Sequence, residues 1–221
     1  MAKIVTYCNQ KGGVGKTTSA VTFAVDLQRR GHSVLMFDAD PQLSAYNWAG
    51  ASQETDGFPV EIRVLENNAK FISKELKKYF DSYDYIIIDS PPNLENGILR
   101  RCLLISDAYV LSFIPKSLEL SALPPIKAYI EDVDIMRSEI DSYPLKGGLF
   151  YNMVNNTRLV KAVIDVVESD KLFPVFNARI RTSTLVPESQ LLGLTIFEMG
   201  AKGKKLQEDF TALTDEIIEL I

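Results

Sequence analysis

An apolar run, Ile4–Cys8, leads straight into Gln10-Lys11-Gly12-Gly13-Val14-Gly15-Lys16-Thr17-Thr18, and this junction constrains the fold more than any other part of the chain. Glycines let the backbone curl so that successive N–H groups point inward at phosphate oxygens. Lys16 adds a charge near the β- and γ-phosphates of a nucleotide, and the Thr17 hydroxyl suits Mg²⁺. A helix beginning near Thr17 would turn its positive end toward the same anion. Gly12, Gly13, Val14, Gly15, Lys16, Thr17 and Thr18 are therefore the candidate nucleotide-binding set.

The rest of the chain alternates between strand and helix patterns. The first helix runs through about Arg30, with Ala20, Phe23, Ala24 and Leu27 at i, i+3, i+4, i+7 spacing and Gly31 as its stop. Strands are expected at Ser33–Asp38, Val60–Val64, Tyr85–Asp89, Ala108–Ile114, Leu149–Val154 and Val175–Ile180. Helices are expected at Phe71–Tyr79, a lysine-rich surface helix, and at Leu120–Arg137, with Pro124 and Pro125 in the first turn. Two more are expected at Val160–Ser169 and Lys204–Ile221, while Gly50–Gly57 reads as polar and irregular. This alternation predicts a doubly wound, mostly parallel sheet with helices on both faces. Ligands bind such sheets at the carboxyl ends of the strands, where the glycine-rich loop, Asp38 and Asp89 all fall.

At 221 residues the chain is expected to form one α/β domain. No apolar run approaches the roughly 18–20 residues that span a bilayer, and the N-terminus enters strand sequence at once, so no signal peptide is expected. Cys8 and Cys102 read as reduced thiols of a cytoplasmic protein. A net charge of −5 leaves no general attraction for nucleic acid, so any such contact would need a local basic patch. His32 has no metal-ligating neighbour in sequence, and Trp48 with Tyr46 reads as packing beside the loop that follows Asp40.

Asp89 ends the run Ile86-Ile87-Ile88-Asp89, where a carboxylate can hold Mg²⁺ beside the Thr17 hydroxyl. The competing reading is an Asp that caps the turn before Pro91-Pro92.

The usual phosphate-loop pattern places glycine where this chain has Gln10, and it lacks a second lysine like Lys11. The K-G-G-x-G-K-[ST] form resembles the deviant Walker A motif of the ParA/MinD family of dimerising ATPases. Asp38-Ala39-Asp40-Pro41-Gln42 resembles that family's D-x-D-P-Q segment. The resemblance implies ATP and Mg²⁺ as cofactors, slow ATP hydrolysis, and a homodimer in which Lys11 reaches the partner's phosphates. It implies that Asp40 orients the attacking water and that Asp38 supports the metal with Thr17 and Asp89. Asn152 falls where relatives place a polar side chain against adenine, and the loop Arg181–Pro187 is expected to close over the ring. The resemblance extends to Gly193–Glu198 and Gly203–Ile217, more loosely, with Lys202 where an arginine is usual. It implies the short class, without an N-terminal helix-turn-helix.

Three readings share this ATPase core. A ParA-type partition ATPase would bind DNA nonspecifically as the ATP dimer, through candidates Arg158, Lys161, Arg179, Arg181, Lys202, Lys204 and Lys205, and be reset by a ParB-like or adaptor partner. It would be cytoplasmic and nucleoid-associated. A MinD-like membrane positioner would need a basic amphipathic tail, whereas the stripe Leu206, Phe210, Leu213, Ile217 and Leu220 is flanked by acids and reads as a packed helix. An iron-protein reductase needs two cluster thiolates from each chain, and here only Cys102 would lie near an interface.

Overall fold

The computed structural model describes residues 1–52, 57–66, 71–95 and 97–221. In chain order the elements are β1 (Lys3–Cys8), α1 (Lys16–Arg29), β2 (Val34–Asp38), α2 (Ser44–Gly50), β3 (Glu61–Val64) and α3 (Ile72–Lys77). They continue with β4 (Tyr85–Asp89), α4 (Gly97–Ile105), β5 (Ala108–Phe113), α5 (Leu123–Ser138) and β6 (Lys146–Val154). The chain ends with α6 (Arg158–Asp170), β7 (Val175–Arg181), α7 (Leu185–Leu192) and α8 (Gly200–Leu220). A short 3-10 helix, Ser117–Ala122, precedes α5.

The strands form one sheet in the order β3-β2-β4-β1-β5-β6-β7, and every pairing is parallel. Central strands covered on both faces must be apolar throughout, not alternating, and β2 and β5 are buried at every residue. Successive side chains of β1 go to opposite faces. Val5 and Tyr7 pack beneath α1 and α8, and Ile4 and Cys8 face the layer built from α3, α4, α5 and α6. The apolar stripe of α8, Leu206, Phe210, Leu213 and Ile217, is buried in the first layer. At about 3–5 kcal/mol for a buried Phe→Ala, Phe210 alone would account for much of a typical domain's stability.

The edge strand β7 is closed by side chains. Glu216 on α8 accepts from the Asn177 and Ala178 amides, both at 2.7 Å, and Asp209 accepts from the Arg181 amide at 3.1 Å. These acids satisfy amides that would otherwise template another strand.

Every strand expected from the sequence is present. β6 begins earlier, at Lys146, and α8 begins at Gly200, not Lys204. Three helices were not anticipated: α2, α4 and α7. The pairs Ile98/Cys102 and Leu99/Leu103 give α4 an i, i+4 apolar face that sequence could have shown. Cys102 sits on that face, fully buried, which corrects its placement near an interface. Of the stretch expected to be irregular, Gly50 closes α2, and residues 53–56 lie outside the described residues.

Candidate nucleotide site

The glycine-rich loop is built from left-handed backbone. Gly13 has φ +73° and Gly15 φ +88°, values that side-chain-bearing residues rarely adopt. A Cβ on Gly15 would also lie 2.1 Å from Asn152 Nδ2, so glycine is required there on two counts.

Buried side chains hold the loop from below. The Val14 carbonyl accepts from Ser112 Oγ at 2.6 Å and from Asn152 Nδ2 at 2.9 Å, which anchors the loop to the ends of β5 and β6. Asn9 donates to the Ser112 carbonyl at 2.6 Å and accepts from the Lys11 amide at 3.0 Å. At about 0.5–1.5 kcal/mol per bond, the set fixes the loop before any ligand arrives.

Parallel strands put the two acids side by side, since Asp38 pairs in register with Asp89. Thr17 Oγ1, in the first turn of α1, donates to Asp89 Oδ2 at 2.5 Å. The other oxygen, Asp89 Oδ1, is buried and has no hydrogen-bond partner. Burial pushes the Asp89 carboxyl up to about 7, against the opposing pull of the Thr17 bond and the Lys16 charge. Burial lowers Lys16 as well, with Asp89 and Asp40 opposing. Lys16 is 6 % exposed, and its ammonium donates to the Lys11 carbonyl at 3.1 Å.

A divalent cation fits this corner. An orphaned carboxylate oxygen beside a hydroxyl is the donor set expected of Mg²⁺ when substrate phosphates complete its shell. Among the described residues no three His, Cys, Asp or Glu side chains cluster closely enough to hold a metal by themselves.

Asp38 is differently engaged. Its Oδ1 accepts from the Asp40 amide at 3.1 Å, and its Oδ2 accepts from Ala45 and Tyr46 at 2.9 and 3.1 Å. Asp38 thus caps α2 from a distance in sequence. Burial raises its carboxyl, while those three backbone bonds lower it. Asp40 folds into a tight turn, accepting from the Gln42 amide at 2.9 Å.

The loop opens on a cavity of about 760 Å³, an ordinary size for a small-ligand site. Lys16, Thr17, Thr18, Asp40, Trp48, Met153, Pro187 and Gln190 contribute to its walls. Trp48 is packed as the sequence suggested, donating from Nε1 to the Leu194 carbonyl at 2.9 Å. Gln190, on the unanticipated α7, donates to Thr18 Oγ1 at 3.2 Å. Only one end of the expected adenine loop reaches the cavity. Pro187 lines it, whereas Arg181 is held in a two-pronged pair with Asp209 at 2.6 Å for both contacts. Asn152 sits under the loop, not in the cavity wall.

Lys11 also stays outside the cavity walls. Its ammonium donates to the Leu118 carbonyl at 3.0 Å and pairs with Glu119 at 3.2 Å, both in the 3-10 helix.

The basic candidates flank β7. Arg158 and Lys161 are exposed on α6, Lys204 and Lys205 on α8, and the two helices cover opposite faces of the sheet. None of these four has an acidic partner among the described residues, whereas Arg179 pairs with Glu168 at 3.2 Å and Lys202 with Glu188 at 3.4 Å. Burial pushes the Cys8 and Cys102 thiols up to about 12, as expected of unreactive packed side chains. Among the described residues no helix is long and apolar enough to cross a membrane.

Residues 5–196 match the CobQ/CobB/MinD/ParA nucleotide binding domain. The chain is 30% identical to the chromosome-partitioning ATPase Soj of Treponema pallidum, over 91% of this chain and 92% of that protein. It is 25% identical to the maintenance of carboxysome distribution protein A of Halothiobacillus neapolitanus, over 95% and 94%. Among solved structures, cobyrinic acid a,c-diamide synthase from Mycobacterium smegmatis with a bound ATP analogue and magnesium superposes with a TM-score of 0.76. That match covers 99% of this chain and 94% of the other at 21% identity, and so speaks to the fold.

Proposed function

The chain belongs to the CobQ/CobB/MinD/ParA nucleotide-binding family, and we propose that within it this protein is an ATP-driven positioning switch of the ParA type. The observation that carries the reading is the separation of the two lysines of one loop. Lys16 is buried at the cavity, and Lys11 is turned outward, away from the cavity walls, onto the Leu118 carbonyl and Glu119. A lysine so placed serves a phosphate brought by another protomer.

In this reading the loop amides, Lys16 and Thr18 bind the phosphates of ATP, and Thr17 and Asp89 hold Mg²⁺, which neutralises charge on the phosphate oxygens. Asp38 fixes the loop that carries Asp40, and Asp40 orients the attacking water. Phosphoryl transfer asks for orientation and charge neutralisation more than for a strong base, so a carboxylate on a turn suffices for slow hydrolysis. Met153, Val186 and Pro187 enclose the base. Two protomers close over two nucleotides, each contributing Lys11 to the other. The ATP dimer joins two copies of the basic set Arg158, Lys161, Arg179, Lys202, Lys204 and Lys205 into a surface for DNA phosphates, and a ParB-like or adaptor partner accelerates the hydrolysis that releases it. The names of the relatives, chromosome-partitioning in one case and carboxysome distribution in the other, support a positioning switch whose cargo differs. A membrane track finds less support, because the apolar stripe of α8 is already buried.

Retention on nonspecific duplex DNA tests the reading. Wild type binds with ATP and not with ADP, Lys11→Ala loses retention, Asp40→Ala keeps it, and salt weakens it steeply. ATP-driven dimerisation without retention under any nucleotide would remove DNA from the account.

A further inference from the structure

The contacts that hold Lys11 outward are specific. Its ammonium is gripped by two acceptors from one short element: the Leu118 carbonyl at 3.0 Å and the Glu119 carboxylate at 3.2 Å. The element is itself tied to the loop, since Gln10 Nε2 donates to the Ala122 carbonyl at 3.1 Å. Glu119 is the better buried of the pair, its side chain 19% exposed against 34% for Lys11. The neighbouring Leu118 is 81% exposed, an apolar side chain at the outer edge of the loop with nothing covering it.

We infer that Glu119 is an intramolecular latch on Lys11, one that restrains association of protomers until nucleotide is bound. This rests on the dimer reading above. A carboxylate held at ion-pair distance offsets the ammonium's charge, so Lys11 turns its full charge to a partner's phosphates only by leaving Glu119. Phosphate oxygens carry more charge than one carboxylate, so the exchange favours the dimer only when a triphosphate is present. Without it, Lys11 stays with Glu119, and opening the latch gains nothing. Leu118, displayed by the same turn, is the apolar side chain that a docking protomer would cover as the latch opens.

The test is light scattering across a protein dilution series with ADP or with AMPPNP, both with Mg²⁺. Glu119→Gln keeps the shape of the side chain and removes the charge. It should dimerise with AMPPNP at a protein concentration about threefold to tenfold below wild type, the range for two partly exposed ion pairs released per dimer. Glu119→Asp, which keeps the charge but shortens the reach, should shift in the same direction by less. Lys11→Ala/Glu119→Gln should stay monomeric, because the gain acts through Lys11. A dimerising wild type that matches or exceeds Glu119→Gln in affinity overturns the latch and leaves the dimer reading standing. Dimerisation of the double variant also overturns it. A wild type that remains monomeric with AMPPNP overturns the dimer reading, and the latch falls with it.

Discussion

The inner and outer limbs of the phosphate loop are opposites in construction. On the inner limb, Val14 and Thr17 are tied to Ser112, Asn152 and Asp89, three groups on three different strands, in a buried setting. On the outer limb, Lys11 rests on a carbonyl and a carboxylate of one exposed turn. Groups that meet the nucleotide are positioned in advance, so binding energy is not spent on arranging them. The group assigned to a second protomer is held by contacts weak enough to exchange. One loop of nine residues thus combines a rigid receptor with a releasable arm.

The largest expected effect lies on the inner limb. Lys16→Ala should weaken ATP binding by roughly 30-fold to 1,000-fold, the range for deleting one partner of a buried charge contact. Calorimetry would show it, and a loss under threefold would mean that the inner limb does not carry the phosphates.

Asp89 sharpens the contrast through pH. Its folded carboxyl titrates at about 7, well above an unfolded Asp, so the folded state holds this proton more tightly. Its contribution to stability is therefore greatest at low pH and is lost as pH rises through about 7. The loss is at most about 4 kcal/mol. In nucleotide-free and Mg²⁺-free protein, Asp89→Asn should raise the unfolding temperature at pH 8 and have little effect at pH 5. An equal effect at both would show that Asp89 is ionised in both states.

Asn152→Ala should weaken ATP and GTP alike, by roughly 3-fold to 30-fold, from the loss of one buried hydrogen bond beneath the loop. Selective loss of ATP over GTP would instead make Asn152 a base contact. The smallest effect belongs to the periphery. Lys204→Ala and Lys205→Ala should each lower DNA affinity only a few fold and reduce the salt slope by about 1. Unchanged slopes would place the DNA surface elsewhere.

The sheet was legible because its strands are near-continuous apolar runs that local sequence reports directly. Lys16, Thr17 and Asp89 were legible for a related reason: loop chemistry and a strand end locate them without knowledge of distant partners. Where the reading fell short, the deciding partner was far away in the chain. α2 starts where the Asp38 carboxylate caps it across seven positions, and nothing in Ser44–Gly50 alone shows that. Arg181 looked available for the base, but Asp209 of α8 claims its guanidinium. Asn152 falls where the resemblance implies an adenine contact, and its amide lies under the loop because Gly15, distant in sequence, packs against it. Lys11 could be recognised as unusual, yet its pairing with Glu119 spans more than one hundred residues.

The division of labour between the two limbs is tested most directly by measuring ATP occupancy and molecular mass together for wild type and Lys11→Ala. The account predicts that both bind one ATP per chain, and that wild type doubles its mass with ATP while Lys11→Ala remains a monomer. Lys11→Ala that fails to bind ATP, or that dimerises as wild type does, would contradict it.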